Sequence, residues 1–325
     1  MTGILAVTGL AVSFPHERGR VRVVDGVDLR VDAGEAVALV GESGCGKSVT
    51  ALSILRLVPK PGRIEQGRVE LEGRDVLGLP VAEMRALRGR HAAMIFQEPM
   101  TSLNPVMTAG AQVVEAIRLH DRIGFAEARR RTLALFEEVG IPDPSARFDA
   151  YPHQLSGGMK QRVMIAMALS MKPRLLIADE PTTALDVTIQ AQILELMRDL
   201  RERFGTAILL ITHDLGVVNE LADRVVVMYA GKVAEEGTRT EVLSSPRHPY
   251  TQGLLRSMPA RANPGERLRE IPGVVPSAGT WPSGCRFRPR CDRAFEACVA
   301  DPPETRFGPT ARVFCFAAAR DEVKP

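Results

Sequence analysis

No apolar run in this 325-residue sequence approaches the ~18 residues that a membrane-spanning helix needs; AVALVG at 36–41 and AILLIT at 207–212 are of strand length. The opening stretch MTGILAVTGLAVSF lacks the basic start and small-residue cleavage site of a secretory signal. The expectation is a protein of the cytosol, with any work at a membrane done through a partner. Charge of one sign is missing too. The 42 basic and 39 acidic residues leave a net charge of +3, which by itself implies no nucleic acid. No internal repeat or low-complexity tract occurs, and 45% hydrophobic with 25% charged residues excludes disorder and collagen-like repeats. Cysteine is nearly absent, and Cys45 stands alone until Cys285.

Four cysteines then crowd the end of the chain: Cys285, Cys291, Cys298 and Cys315, spaced C-x5-C-x6-C-x16-C. A reducing cytosol disfavours two structural disulfides, so the cluster reads first as a metal site. Four thiolates suit zinc and iron–sulfur alike, although the C-x2-C knuckles that zinc ribbons favour are missing. Free thiols are the alternative. The cluster lies in a Pro-rich segment with Pro246, Pro249, Pro272, Pro276, Pro282 and Pro289. That shift in composition sets a boundary, with a small loop-rich domain over 246–325. A chain of this length predicts about two domains.

Ahead of the boundary, alternating apolar and polar residues in 1–40 predict an antiparallel β lead-in. The stretch 105–172 has helical spacing, interrupted by Pro142, Pro144 and the Tyr-Pro-His turn at 151–153, and predicts a helical insertion. LLIADE (175–180) and AILLIT each precede a helical pattern, and RVVVMYAGKVAEEG predicts a hairpin around Ala230-Gly231. Strands alternating with helices argue an α/β core with a parallel sheet.

Three motifs carry chemistry. GESGCGKS at 41–48 matches G-x-x-x-x-G-K-[ST] between a strand and a helix. Its glycines let backbone N–H groups converge on phosphates at the positive end of the helix. Lys47 would neutralise the β- and γ-phosphates and Ser48 would ligate Mg²⁺. Gly41, Ser43, Gly44, Cys45, Gly46 and Val49 complete the candidate nucleotide contacts, with Cys45 read as a small residue rather than a reactive thiol. The second motif, LLIADE, ends a buried strand on Asp179, a ligand for Mg²⁺ through water. Glu180 beside it is the general base for the attacking water. In the third, LSGGMKQR (155–162), Ser156, Gly157 and Gly158 open a helix and form another anion-binding N-terminus. One chain has no use for two phosphate sites.

That duplication, with these motifs in this order, resembles the nucleotide-binding subunit of an ATP-binding-cassette (ABC) transporter. The resemblance implies an ABC-type P-loop ATPase core over 1–245, with its helical subdomain at about 100–172. It makes Gln97 the Q-loop residue, sensing Mg²⁺ and contacting membrane subunits through Gln97–Asn104. Ala184-Leu185-Asp186 becomes the D-loop, His213 the switch histidine at the γ-phosphate, and Phe14 the aromatic stacked on adenine. Phe14 as an ordinary strand core residue is the alternative. FQEPMTSLNP (96–105), VMIAMAL (163–169), DEPTTALDVTIQAQIL (179–194), ITHDLGVV (211–218), RHPYTQGLL (247–255), IPGVVPS and GCRFRPRC narrow it further. They are similar to dipeptide and oligopeptide importer ATPases, the D-type subunit more than the F-type. Some of those carry a four-iron–four-sulfur (4Fe–4S) cluster at this C-terminal motif, which tips the cysteine assignment to iron–sulfur.

The implied mechanism is hydrolysis of ATP with Mg²⁺ in a sandwich of two ATPase subunits, each offering its Ser156–Gly158 segment to the other's nucleotide. The implied partners are a second ATP-binding subunit, two membrane permeases and an extracytoplasmic substrate-binding protein, with the chain peripheral on the cytoplasmic side of the inner membrane. Relatives with the same extension carry nickel, glutathione or antimicrobial peptides, so the solute stays open. A soluble ABC ATPase acting on nucleic acid or ribosomes is disfavoured, since no sustained heptads lie between Lys47 and Ser156. A non-catalytic subunit is disfavoured by the presence of both Glu180 and His213.

Overall fold

The computed structural model describes residues 3–17, 19–97, 102–183, 185–258 and 270–322. Its strands are β1 Gly3–His16, β2 Gly19–Asp32, β3 Ala36–Val40, β4 Arg63–Leu71, β5 Arg74–Asp75 and β6 Ala92–Ile95. β7 Leu175–Asp179, β8 Ala207–Thr212, β9 Arg224–Tyr229, β10 Lys232–Thr238, β11 Glu304–Phe307 and β12 Ala311–Phe314 follow. The α-helices are α1 Lys47–Ile54, α2 Val81–Leu87, α3 Ala109–His120, α4 Phe125–Glu138, α5 Pro144–Phe148 and α6 Gly157–Leu169. α7 Val187–Phe204, α8 Leu215–Leu221, α9 Arg239–Ser244, α10 Pro249–Arg256 and α11 Phe316–Glu322 complete them. Among the described residues no helix is long and apolar enough to cross a membrane. The chain divides into two compact units.

The first unit comprises Met1–Ile4, Asp32–Glu35 and Gly78–Leu210. Its strands run in the order β8-β7-β6, and β6 pairs with β7 in parallel, Ile95 opposite Ala178. All five residues of β7 and all six of β8 are buried, as continuous apolar runs in a parallel sheet demand. The expected helical insertion is present as α3 to α6. α3 starts on Thr108, whose side chain accepts from the Ala111 N–H at 3.3 Å, and ends with Arg118 and His120 near its negative pole. α4 turns Ala128, Thr132 and Phe136 inward at four-residue spacing. α6 lacks a polar stripe. Val163, Ile165, Ala166 and Leu169 are all buried, which makes it an interior helix. Burying a side chain such as Ile165 contributes roughly 1.5–3 kcal/mol.

The second unit comprises Leu5–Val31, Ala36–Leu77 and Ile211–Pro325. It holds the first part of the expected lead-in, β1 and β2, in a four-stranded sheet of order β2-β1-β4-β5, with β1 and β4 antiparallel and Leu5 opposite Leu71; 36–40 of that lead-in is instead β3, outside this sheet. Its other strands run β11-β12-β10-β9-β3. β3 pairs with β9 in parallel, Leu39 opposite Val226. The expected hairpin at 230–231 joins β9 to β10, with Ala230 at φ 44° and Gly231 at φ 83° supplying the two left-handed positions of its tight turn. Residues 246–325 belong to this unit, and β12 pairs with β10, Val313 opposite Glu235. The core of the Cys-rich segment is small: Phe307, Ala311, Val313, Cys315, Ala317 and Ala318, with Phe295 against it. A core of that size explains why it adds strands to an existing sheet.

Candidate active site

In the second unit, fully buried β3 delivers the chain into 41–48, and α1 starts at Lys47. Two glycines are fixed by contact. A Cβ on Gly41 would stand 2.3 Å from the Met228 carbonyl oxygen, and one on Gly46, at φ 102°, would stand 2.8 Å from that of Val23. The loop is stitched in place by Cys45, whose N–H donates to Glu42 O at 3.3 Å and whose carbonyl accepts from Gly231 N at 2.9 Å. Lys47 is buried, and its Nζ donates to Gly41 O at 2.6 Å and Glu42 O at 3.1 Å. Its charge therefore rests on carbonyls where phosphate oxygens would compete for it. Burial raises the Cys45 thiol above its ordinary value despite the neighbouring Lys47, so it is a neutral filler rather than a nucleophile. Ser43 and Gly44 are exposed; Ser48 and Val49 are half-buried in the first turn of α1.

The same unit holds Phe14 half-buried near the end of β1, where a Cβ on Gly62 would come within 2.7 Å of its ring. One side of the ring is backed by chain and the rest reaches solvent, neither a sealed core residue nor a free one. His213 is exposed directly after β8, and Asp214 caps α8 by accepting from Gly216 N at 2.7 Å.

In the first unit, register does the positioning. Because Ile95 stands opposite Ala178, residues two further along each parallel strand also come together. Gln97 Nε2 donates to Glu180 Oε2 at 2.9 Å. Thr183 Oγ1 donates to the same oxygen at 3.0 Å. Sequence reasoning missed Thr183, whose part depends on the turn after β7. Glu180 sits at φ 47°, a left-handed conformation costing about 1–3 kcal/mol for such a residue. Glu180 is half-buried there, while Asp179, at 4% exposure, stays buried at the strand end. Ser156 caps α6, accepting from Met159 N at 3.3 Å. Gly157 meets nothing within 4 Å, and a Cβ on Gly158 would stand 3.0 Å from Ile189. Asp186 caps α7, accepting from Ile189 N at 2.9 Å. Glu98 to Thr101 of the stretch expected to meet membrane subunits, and Ala184 of the expected D-loop, lie outside the described residues.

Ser48 in the second unit, and Asp179 and Gln97 in the first, each carry a hard oxygen donor of the type that Mg²⁺ takes. The four C-terminal cysteines are free. Cys298 and Cys315 are buried, Cys285 and Cys291 half-buried. They are neighbours: the Cys285 N–H donates to Cys298 O at 3.1 Å. Burial, then the nearby Cys315 and Cys298, raise the Cys285 thiol; burial, then Cys315 and Cys285, push Cys291 up to about 11. Burial thus disfavours both thiolates. Among the described residues no group of three or more His, Cys, Asp and Glu side chains is arranged to hold a metal ion. The expected iron–sulfur ligation by Cys285, Cys291, Cys298 and Cys315 is thus not supported by these side chains as they stand.

The second unit adds a feature that sequence reasoning missed. The Glu42 N–H donates to Tyr250 Oη at 2.9 Å, and the Glu42 carboxylate takes a two-pronged ion pair from Arg290 at 2.8 and 3.0 Å. Tyr229, His248, Tyr250 and Phe287 pack ring against ring behind it. RHPYTQGLL marks this segment in the sequence, but nothing there states which loop it meets.

The family described as ABC transporter matches residues 24–183, and the one described as oligopeptide/dipeptide transporter, C-terminal region, matches 234–298. The dipeptide transport ATP-binding protein DppD of Escherichia coli (strain K12) is 51% identical over 92% of each chain. The oligopeptide transport ATP-binding protein AppD of Bacillus subtilis (strain 168) is 50% identical over 97% of this chain and 98% of its own. A solved dimeric ATP-binding cassette in a post-hydrolysis state, bound to ADP and Pi, superimposes with a TM-score of 0.66 at 27% identity. The match covers 72% of this chain and 98% of that one. With these matches, an α/β P-loop core and a C-terminal segment built onto its sheet, the chain belongs to the ABC transporter ATP-binding proteins of the dipeptide/oligopeptide type.

Proposed function

We propose that this chain is the ATP-hydrolysing subunit of a membrane importer for dipeptides or oligopeptides. One observation carries the reading: 51% identity to a dipeptide transport ATP-binding protein over 92% of the chain, within which the C-terminal region typical of such transporters also matches. Residues 1–245 are the cassette and 246–325 its extension. Lys47 leaves the Gly41 and Glu42 carbonyls for the β- and γ-phosphates, beside the N–H groups of 41–49. Phe14 stacks on the adenine. Ser48, Asp179 and Gln97 are the residues that would hold Mg²⁺, whose charge would offset that of the phosphoryl oxygens. Glu180, held by Gln97 and Thr183, takes the proton of the attacking water, and His213 contacts the γ-phosphate.

Ser156, Gly157 and Gly158 serve the nucleotide of a second ATP-binding subunit, with Asp186 at the same interface. Supporting this is a helix N-terminus capped by Ser156 whose Gly157 has nothing within 4 Å of an added Cβ. The remaining partners are two permeases and an extracytoplasmic substrate-binding protein, which places the chain peripherally on the cytoplasmic side of the inner membrane. Reconstitution with permeases in vesicles tests the reading: ATP turnover should rise on assembly and on adding peptide. A lone chain turning over at its full rate, with no gain from partners, would contradict it. The four cysteines form a further proposal, a 4Fe–4S centre, supported by their crowding into one segment of the sequence and by the nearby Arg288, Arg290 and Arg293. Iron, sulfide and zinc analysis after anaerobic purification decides it: one zinc per chain without iron sinks the cluster but keeps a metal, and protein lacking both metals sinks the whole idea.

A further inference from the structure

The Arg290–Glu42 pair lies within the second unit and has no role in the mechanism above. Glu42 is the second residue of the phosphate-binding loop, where an unpaired carboxylate would repel the polyanion the loop is built to hold. Arg290 meets it as a bidentate fork, Nη1 on one oxygen at 2.8 Å and Nη2 on the other at 3.0 Å. The guanidinium is locked. Its Nε donates to Pro272 O at 2.9 Å, and its side chain is only 5% exposed. It immediately precedes Cys291, and Phe287, two residues beyond Cys285, packs edge-on to Tyr229 at 5.2 Å. The fork therefore reaches the loop from the cysteine-bearing segment, across an aromatic floor that also supplies the Tyr250 hydroxyl to the Glu42 N–H.

We propose that Arg290 is a positioning residue for nucleotide binding: it masks and fixes the Glu42 carboxylate so that the phosphate loop presents a net positive field to the triphosphate. The C-terminal segment is thereby a working part of the nucleotide site. Because the pair is buried at the arginine end, solvent screens it little, and removing one partner exposes the other's full charge. The inference rests on 41–48 being the nucleotide loop.

The test is equilibrium binding of ATP, ADP and AMP to the full-length chain with Mg²⁺, comparing wild type, R290Q, E42Q and E42Q/R290Q. R290Q should weaken ATP by about tenfold, equivalent to about 1.4 kcal/mol, with a smaller loss for ADP and least for AMP. E42Q/R290Q should regain most of the ATP affinity, because no carboxylate is left to mask. A structural lesion would lower all three nucleotides alike and would not be suppressed by E42Q. Equal losses, no loss in R290Q, or no recovery in the double variant overturns the proposal. If R290Q does not fold, R290K carries the test. Charge without the fork should hold ATP within about threefold of wild type, and a tenfold loss there overturns it. A wild-type chain that binds no nucleotide contradicts the reading of the loop itself, an outcome distinct from either.

Discussion

Two helix N-termini in this chain have phosphate-binding chemistry, and they are built in opposite ways. At α1 the preceding loop is stitched to its surroundings: Cys45 holds Gly231, Tyr250 takes the Glu42 N–H, and a buried lysine sits on loop carbonyls. At α6 the N-terminus is open, with Ser156 and Gly157 exposed and only a capping hydroxyl for local support. The first is a finished cradle. The second is open, an arrangement that suits the proposed pairing with another subunit's nucleotide. Preorganisation distinguishes them, since donors already fixed by the protein need no ordering when an anion arrives.

The largest expected effect falls on the finished cradle. Lys47→Ala should reduce ATP binding and turnover by roughly 10²-fold or more, because a buried cation aimed at the phosphates has no substitute. Nucleotide titration with a turnover assay checks it, and near-normal affinity would break the comparison. Glu180→Gln should behave differently. Turnover falls by roughly 10²-fold or more while ATP binding survives, trapping an ATP-bound dimer visible by size exclusion. Turnover at the wild-type rate would remove Glu180 from its role.

The open half-site gives a contrasting outcome. Gly157→Asp should leave folding and ATP binding of the isolated chain intact, because nothing lies within 4 Å of an added Cβ. The new charge should nevertheless suppress turnover in the assembled transporter, since under the proposed pairing it would face the partner's phosphates. Loss of binding in the isolated chain would show that the two N-termini are not independent.

Acid should act on the cradle through its aromatic floor. Burial lowers His248 from the ordinary 6.5 to about 4. Between those pH values the unfolded chain binds a proton that the folded protein refuses. Stability contributed by neutral His248 is full above about pH 6.5 and lost as pH falls toward 4, about 3 kcal/mol across the window. Glu235, raised by burial, works in the opposite direction, so the difference between wild type and His248→Gln isolates the histidine. Urea midpoints at pH 7 and pH 4.5 should converge in His248→Gln; an unchanged gap would refute the assignment. The smallest effect belongs to Ser156→Ala, which removes a helix cap worth about 1 kcal/mol. Thermal melting should register that loss.

Local patterns were legible. The P-loop, the buried strand ending at Asp179, the Ser156 cap and the Ala230-Gly231 hairpin each depend on neighbours in sequence, where backbone chemistry and side-chain period decide the outcome. The contacts of Glu180 were only half legible. LLIADE marked Glu180 as a candidate catalytic carboxylate, but its Gln97 hydrogen bond required the β6–β7 register, and Thr183 required the turn that follows. The cysteine cluster marks the opposite limit: spacing brought four thiols to attention, yet spacing does not state where their sulfurs point.

The sequence by itself determined the family, the phosphate chemistry and the order of the elements, because each is written in short stretches whose backbone demands are local. Only tertiary structure decided that residues 246–325 extend the sheet at β10, and that Arg290 meets Glu42 almost 250 positions away. Those outcomes depend on which surfaces remain unburied once the strands have paired. A small core has to find apolar partners and a buried charge has to find its counter-ion, and neither search leaves a periodic trace in the sequence.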